Sequence, residues 1–232
     1  MNNQFFSQIY TSRLFSAVIV TVLVACILPH AVADYYAARN GQSPLGPYTN
    51  WGTAASNIQD AVNAAANNST VWVGAGRYTV PTNAVFYTTT NVVYINKPIT
   101  LRSSNGVPED TVIDGEGSYR GVTWYYAAAS TSRFVLDGLT ISNCRATNYG
   151  GGILFVPNVW TATVQNCVIA DNTALSSQSA GNSAGGGIYA YGTAFGLTIS
   201  NCIIRNNFST NTVTGQWSYA GGVYLYTYGK KT

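Results

Sequence analysis

Three glycine-started segments at a fixed interval constrain this chain more than any other feature. They are Gly150-Gly151-Gly152-Ile153-Leu154-Phe155-Val156, Gly185-Gly186-Gly187-Ile188-Tyr189-Ala190-Tyr191 and Ala220-Gly221-Gly222-Val223-Tyr224-Leu225-Tyr226, each 35 residues from the next. A second signature keeps step with them: Ser142-Asn143-Cys144, Gln165-Asn166-Cys167 and Ser200-Asn201-Cys202. From Gly150 to Cys167 and from Gly185 to Cys202 the distance is 17 residues both times. Two motifs locked at one offset mark an internal repeat.

Each repeat holds two short runs of alternating apolar residues. Ile153 and Phe155, Ile188 and Ala190, and Val223 and Leu225 share a parity in the first run. Leu139 and Ile141, Ala162 and Val164, and Leu197 and Ile199 do so in the second. Period-2 alternation bounded by Gly, Asn and Asp predicts strands. No helical pattern separates them, so the units are not βαβ crossovers. A unit this short cannot bury its apolar face alone but can when stacked on copies of itself. Each turn of chain then pairs in parallel with the next at about 4.8 Å. Stacking predicts an amide ladder of Asn143, Asn166 and Asn201, with Cys144, Cys167 and Cys202 as a column of buried, small apolar side chains just inside it.

The spacing from Asn-Cys to the glycines is uneven. It is 6 residues from Cys144 to Gly150 but 18 from Cys167 to Gly185 and from Cys202 to Ala220. This predicts polar loops over Ala174 to Ala184 and Phe208 to Tyr219, at one corner of the solenoid.

Upstream, Ser56 reads as a helix N-cap with Gln59 completing a capping box. Ile58, Ala61, Val62 and Ala65 then form one apolar stripe. The strand Thr70-Val71-Trp72-Val73 follows, then Gly76-Arg77-Tyr78. A helix laid across the first turn would hide its open core and unpaired edges.

These features resemble the right-handed parallel β-helix proteins of the pectin-lyase-like superfamily. The Gly-Gly-[Ile/Val] starts, the Asn-Cys strand ends and the helix followed by a Val-x-Val strand carry the likeness, over roughly Tyr35 to Tyr226. The Gly-Gly-Ile signature is also similar to repeats of polymorphic outer-membrane (autotransporter) proteins. The resemblance implies an all-β, right-handed, single-stranded parallel β-helix with a short N-terminal capping α-helix. It does not imply one activity, since such scaffolds host many. The organisation expected is a signal peptide over 1–33, a lead-in and helical cap over 34–69, and β-helix coils over 70–232.

Only 8% of the 232 residues are charged, and tyrosines number 17. That balance suits stacked β structure rather than a cytosolic α/β enzyme. A net charge of +3 is too small to suggest nucleic acid as a partner. Arg13, the apolar run Leu14 to Leu28 and the small-x-small site Ala31-Val32-Ala33 read as an export signal. Leu23-Val24-Ala25-Cys26 offers a rival reading, a lipid anchor on Cys26. The run is shorter than the roughly 20 residues of a transmembrane helix. These readings place the protein outside the cell or on its envelope. The chain stops at Tyr228-Gly229-Lys230-Lys231-Thr232, barely past a strand. The readings are a fragment of a longer protein, self-association or capping through the open last coil, or lysines that discourage edge pairing.

For function, Tyr189, Tyr191, Tyr224 and Tyr226 are predicted to point outward as a two-by-two panel. Such a panel would take a sugar face or serve the sheet itself by stacking. No facing carboxylate pair of the hydrolase kind is legible. Asp110, Asp114, Glu116 and Asp137 form the one acid-rich neighbourhood, with Asp114-Gly115 and Asp137-Gly138 reading as turns. Lyase-like relatives use Arg and carboxylate-held Ca²⁺. Here Arg120, Arg133, Arg145 and Arg205 are available, but the second half offers Asp171 as its acid. With His30 in the signal, a mature chain has no histidine. No cofactor and no metal is expected. The reading is a non-catalytic scaffold that binds glycan or another surface, set against a polysaccharide lyase or hydrolase and against a purely structural passenger.

Overall fold

The structure, a computed structural model, describes residues 33–81, 91–125, 133–156, 159–177, 181–192 and 194–227. The segment expected to be a signal peptide, up to Val32 and including Cys26, lies outside the described residues, as do Tyr126 and the terminal lysines. Strand β1 (Tyr35–Ala37) and helix α1 (Ile58–Ala64) come first. Successive turns of chain then follow. The first holds β2 (Thr70–Val73), β3 (Gly76–Tyr78) and β4 (Asn91–Ile95); the second holds β5 (Thr100–Ser103), β6 (Thr111–Asp114) and β7 (Arg120–Tyr125). The third holds β8 (Arg133–Asp137), β9 (Thr140–Ser142), β10 (Arg145–Thr147) and β11 (Ile153–Val156). The fourth holds β12 (Val159–Gln165), β13 (Val168–Ala170), β14 (Thr173–Ser176), β15 (Ser183–Ala184) and β16 (Ile188–Gly192). The fifth repeats it with β17 (Ala194–Ser200), β18 (Ile203–Arg205), β19 (Phe208–Asn211), β20 (Ser218–Tyr219) and β21 (Val223–Thr227).

Every strand pairs in parallel with its equivalent in the neighbouring turn. One sheet runs β1-β2-β5-β8-β12-β17, a second β3-β6-β9-β13-β18 and a third β4-β7-β11-β16-β21, with smaller sheets β10-β14-β19 and β15-β20. The body is all-β with one α-helix among the described residues, and its stacked parallel sheets are consistent with a β-helix or solenoid. No helix among the described residues is long and apolar enough to cross a membrane.

The alternation seen in sequence becomes columns of like residues. Val71, Leu101, Leu136, Val164 and Ile199 stack in the first sheet. Tyr78, Ile113, Ile141, Ile169 and Ile204 stack in the second. Val93, Val122, Ile153, Ile188 and Val223 stack in the third. The columns are fully buried through the fourth turn, and each buried Leu, Ile or Val contributes roughly 1.5–3 kcal/mol. Trp124, Phe134 and Phe155 pack together in the core, with Trp124 stacked on Phe134 at 5.2 Å and Phe155 edge-on to both. In the fifth turn the columns are partly open, and Leu225 is 51% exposed.

The glycine starts have a steric cause. A Cβ on Gly152 would sit 2.6 Å from the carbonyl oxygen of Gly187, and one on Gly187 would sit 2.7 Å from that of Gly222. Turns approach at this corner with no room for a side chain.

The asparagine and cysteine columns differ from expectation. Asp137, Gln165 and Ser200 are in register, as are Thr140, Val168 and Ile203. The first corner therefore aligns Gly138, Asn166 and Asn201, then Leu139, Cys167 and Cys202. Ser142-Asn143-Cys144 lies at the next corner, where Ser142, Ala170 and Arg205 are in register. That corner aligns Asn143, Asp171 and Asn206, then Cys144, Asn172 and Asn207. Both corners need a left-handed residue: φ is 69° at Gly138, 53° at Asn166 and 49° at Asn201, and 51°, 58° and 52° at Asn143, Asp171 and Asn206. Asn and Asp tolerate that region, so one dipeptide serves two places.

The amide ladder of this second corner is accordingly the buried Asn172 and the half-buried Asn207. Asn172 accepts from the Cys144 amide at 3.0 Å and donates to Ile141 O at 3.0 Å, and Asn207 accepts from the Asn172 amide at 3.1 Å. At the first corner Asn201 donates to Asn166 at 2.7 Å, on the surface. The uneven spacing is thereby explained. Residues Thr173–Ser176 and Phe208–Asn211 are paired strands, not loops, and the extra chain falls between Leu175 and Ala184, against the short step Thr147 to Tyr149.

Helix α1 also starts differently. Its N-cap is Asn57, not Ser56, and the Asn57 side chain accepts from the Asp60 amide at 2.9 Å. Gln59 is not in a capping box. It turns inward and bonds the backbone of Tyr94, while Ile58, Ala61 and Val62 are buried beside it. Lys97 Nζ donates to Asn63 O and Ala65 O at 3.1 and 2.8 Å, closing the helix C-terminus.

Candidate functional site

The four predicted tyrosines meet on the outer face of the third sheet, because β16 and β21 pair with Tyr189 opposite Tyr224 and Tyr191 opposite Tyr226. The Tyr189 and Tyr224 rings stack at 5.6 Å and 13°. Tyr149 stacks on the other side of Tyr189, at 4.6 Å. Tyr191 lies 5.8 Å from Tyr189, and Tyr219 lies 5.6 Å from Tyr224. The face is not the flat open panel expected. Tyr189 is only 7% exposed, whereas Tyr226 is 48% exposed. Burial, helped by the surrounding tyrosines, pushes the Tyr189 hydroxyl up to about 12. Tyr149 and Tyr219 were missed by sequence reasoning. Ala184 stands in register between their positions, and this small residue separates two rings that lean onto the main row.

Arg120 fixes the corner beside this row. Its Nε donates to Gly150 O at 2.8 Å and an Nη to Tyr149 O at 3.0 Å. The other Nη reaches Asn91 Oδ1 at 3.2 Å and Thr123 Oγ1 at 3.3 Å. Burial lowers its pKa to about 10. The guanidinium spends its donors on backbone and neighbouring side chains, which holds Tyr149 in place.

The acids sit in corners, each engaged. Asp114 accepts from Arg77 at 2.7 Å, from Asn143 at 3.1 Å and from the Glu116 amide at 2.7 Å. Asp137 accepts from Arg102 at 2.6 Å, Asn166 at 2.8 Å and Gln165 at 3.0 Å. Burial pushes the Asp137 pKa up, but these hydrogen bonds outweigh it and leave the carboxyl below its usual value. Asp110 accepts from Asn105 at 2.8 Å, and Asp171 faces Arg205 at 3.9 Å. Among the described residues no group of three or more His, Cys, Asp or Glu side chains is placed to hold a metal ion.

A second aromatic surface lies on the outer face of the first sheet. Tyr36, Trp51 and Trp72, with Asp34 and Ser104, line a cleft of about 440 Å³. Trp51 belongs to a 3₁₀ turn capped by Asn50 and meets Tyr36 edge-on at 4.7 Å. Trp72 carries the Arg102 guanidinium over its ring at 5.5 Å. Register extends this into a single outward column: Tyr36, Trp72, Arg102, Asp137, Gln165, Ser200. Thr70, Thr100, Val135, Thr163 and Thr198 form the column alongside, within an open groove of about 420 Å³. One sequence signal pointed here, the outward parity of Trp72 in the strand Thr70-Val71-Trp72-Val73.

No protein-family model matches this chain, no curated protein matches it, and no solved structure matches it.

Proposed function

We propose that this chain is a non-catalytic, right-handed parallel β-helix scaffold, exported to the cell surface or beyond, that binds glycan on its lateral faces. The resemblance to pectin-lyase-like proteins supports the handedness, as does the strong right-handed preference of parallel crossovers. Helix α1 serves as the N-terminal cap: it covers the start of the core and satisfies the edge strand β4 through Gln59. Export follows from the Arg13 to Ala33 segment, with the lipid anchor on Cys26 as its rival.

The observation that carries the binding reading is the Tyr36–Trp51–Trp72 cleft and its continuation. Flat rings beside hydroxyl, amide and charged groups are what a sugar needs for face contacts and directed hydrogen bonds. Six in-register positions at about 4.8 Å span about 24 Å, the reach of a short linear oligosaccharide. Tyr191, Tyr224 and Tyr226 offer a second, smaller patch on the third sheet. The passenger reading draws support from one fact, the enclosure of Tyr189 between Tyr149 and Tyr224.

The test is retention on a panel of immobilised polysaccharides. Trp72→Ala should reduce retention of a bound glycan about tenfold, and Tyr224→Ala plus Tyr226→Ala should reduce it less, with circular dichroism unchanged. Equal retention of Trp72→Ala and wild type would remove the cleft from the proposal. Silence across the panel would leave the passenger reading.

A further inference from the structure

Cys167 and Cys202 occupy the same corner of two successive turns. Their neighbours Val168 and Ile203 are paired in register, and the Ile203 amide donates to Cys167 O at 2.9 Å. Both thiols are free. Each also faces a local carbonyl, Cys167 Sγ to Gln165 O at 3.0 Å and Cys202 Sγ to Ser200 O at 3.2 Å. Register places the two cysteines directly over one another in adjacent turns, about 4.8 Å apart, and the Cys202 thiol also reaches Val164 O of the turn that carries Cys167, at 3.4 Å. Cys167 is 1% exposed, while Cys202 is half-buried.

These thiols differ from Cys144 in what surrounds them. Cys167 and Cys202 line an open cleft of about 350 Å³ with Asn166, Asn201, Pro108 and Glu109. Cys144 sits at the other corner, fully buried, and its counterparts in the next turns are Asn172 and Asn207. It has no sulfur neighbour in register.

We propose that Cys167 and Cys202 form a two-thiolate site for a thiophilic d¹⁰ cation, represented by Cu(I). Soft thiolates select such ions over hard divalent cations. Two-coordinate ligation asks for two sulfurs facing one ion, and stacked turns supply them. In-register parallel side chains point the same way, which suits a shared ion better than a disulfide, whose geometry needs converging Cβ vectors. The half-buried Cys202 and the cleft supply the entry path. The step balances without redox change: one Cu⁺ replaces the two thiol protons, which leave to solvent, and the bis-thiolate complex carries a single negative charge beside an open cleft. This site is independent of the glycan reading, and neither result bears on the other.

The experiment is an anaerobic competition for Cu(I) between the full chain and bathocuproine disulfonate, in a Cys26→Ser background, followed by thiolate-to-metal absorption and native mass spectrometry. The wild-type corner should withdraw one Cu(I) per chain. Cys202→Ser should weaken that affinity about tenfold or more, and Cys144→Ser should leave it unchanged. Because Cys167 is in the core, Cys202→Ser on the cleft side is the decisive variant. The proposal is overturned if the chelator keeps the metal, if Cys202→Ser competes as well as its parent, or if Cys144→Ser loses as much as Cys202→Ser.

Discussion

Gln59 closes both backbone hydrogen bonds of Tyr94: the Tyr94 amide donates to Gln59 Oε1 at 2.7 Å, and Gln59 Nε2 donates to Tyr94 O at 3.0 Å. A side-chain amide thus takes the place of a neighbouring strand on the exposed edge of β4. The same Nε2 also reaches Asn63 Oδ1 at 2.9 Å, which fixes the amide's orientation. An edge strand left bare is a template for unwanted pairing.

Replacing this amide tests the edge directly. Gln59→Leu keeps the helix and its apolar face but strands two backbone groups in a buried place. The expected loss is about 2–4 kcal/mol, from the cost of unsatisfied polar groups. Urea unfolding gives the magnitude, and hydrogen exchange at the Tyr94 amide gives the location. A Tyr94 amide that stays as protected as before would show that Gln59 does not hold it.

The two corners should respond unequally to the same substitution. Asn172 is fully buried and bonds three groups of the neighbouring turns, so Asn172→Ala should cost about 2–4 kcal/mol. Asn201 is exposed and bonds Asn166 at the surface, so Asn201→Ala should cost about 1 kcal/mol or less. Thermal unfolding of the pair decides between this corner assignment and a single ladder through Asn143, Asn166 and Asn201, which would make Asn201→Ala the larger loss.

Acid should act through Asp137. Its folded-state pKa lies below the ordinary carboxylate value because the bonds from Asn166, Gln165 and Arg102 outweigh burial. A depressed pKa contributes stability that is fully present above the unfolded value, about 4, and is lost as pH falls through the lower folded value. Asp137→Asn should therefore be less stable than wild type at pH 7, by about 1–2 kcal/mol. The gap should narrow below about pH 4. Melting temperatures across pH 2–7 measure it, and a gap independent of pH would mean that packing rather than charge sets the difference.

The residues that revealed the fold were those whose role forces one identity. Gly121, Gly152 and Gly187 stand where stacked backbones exclude a Cβ, and inward columns such as Ile141, Ile169 and Ile204 repeat because each turn sees the same surroundings. Asn143-Cys144 misled for the converse reason. A left-handed residue followed by an inward one is required at two corners, and the dipeptide does not say which. Asn172 escaped notice because its equivalent in the turn before is a cysteine. The helix start slipped by one residue because Ser56 and Asn57 are both good caps, and Gln59 was claimed by Tyr94. The Tyr36–Trp51–Trp72 cleft was hardest to see. Its column joins six different residue types from six strands, and only the register, itself a property of the assembled turns, brings them into line.

The glycine corner also sets how such a molecule can change. Any turn that is to be covered by another must carry glycine at this place, whereas the chain between Leu175 and Ala184 is where the turns already differ in length. Lengthening the stack is therefore easiest by duplicating whole 35-residue modules, which bring their own glycines with them. Novelty has its outlet along a single margin, where each copy can diverge without disturbing the seam beneath it.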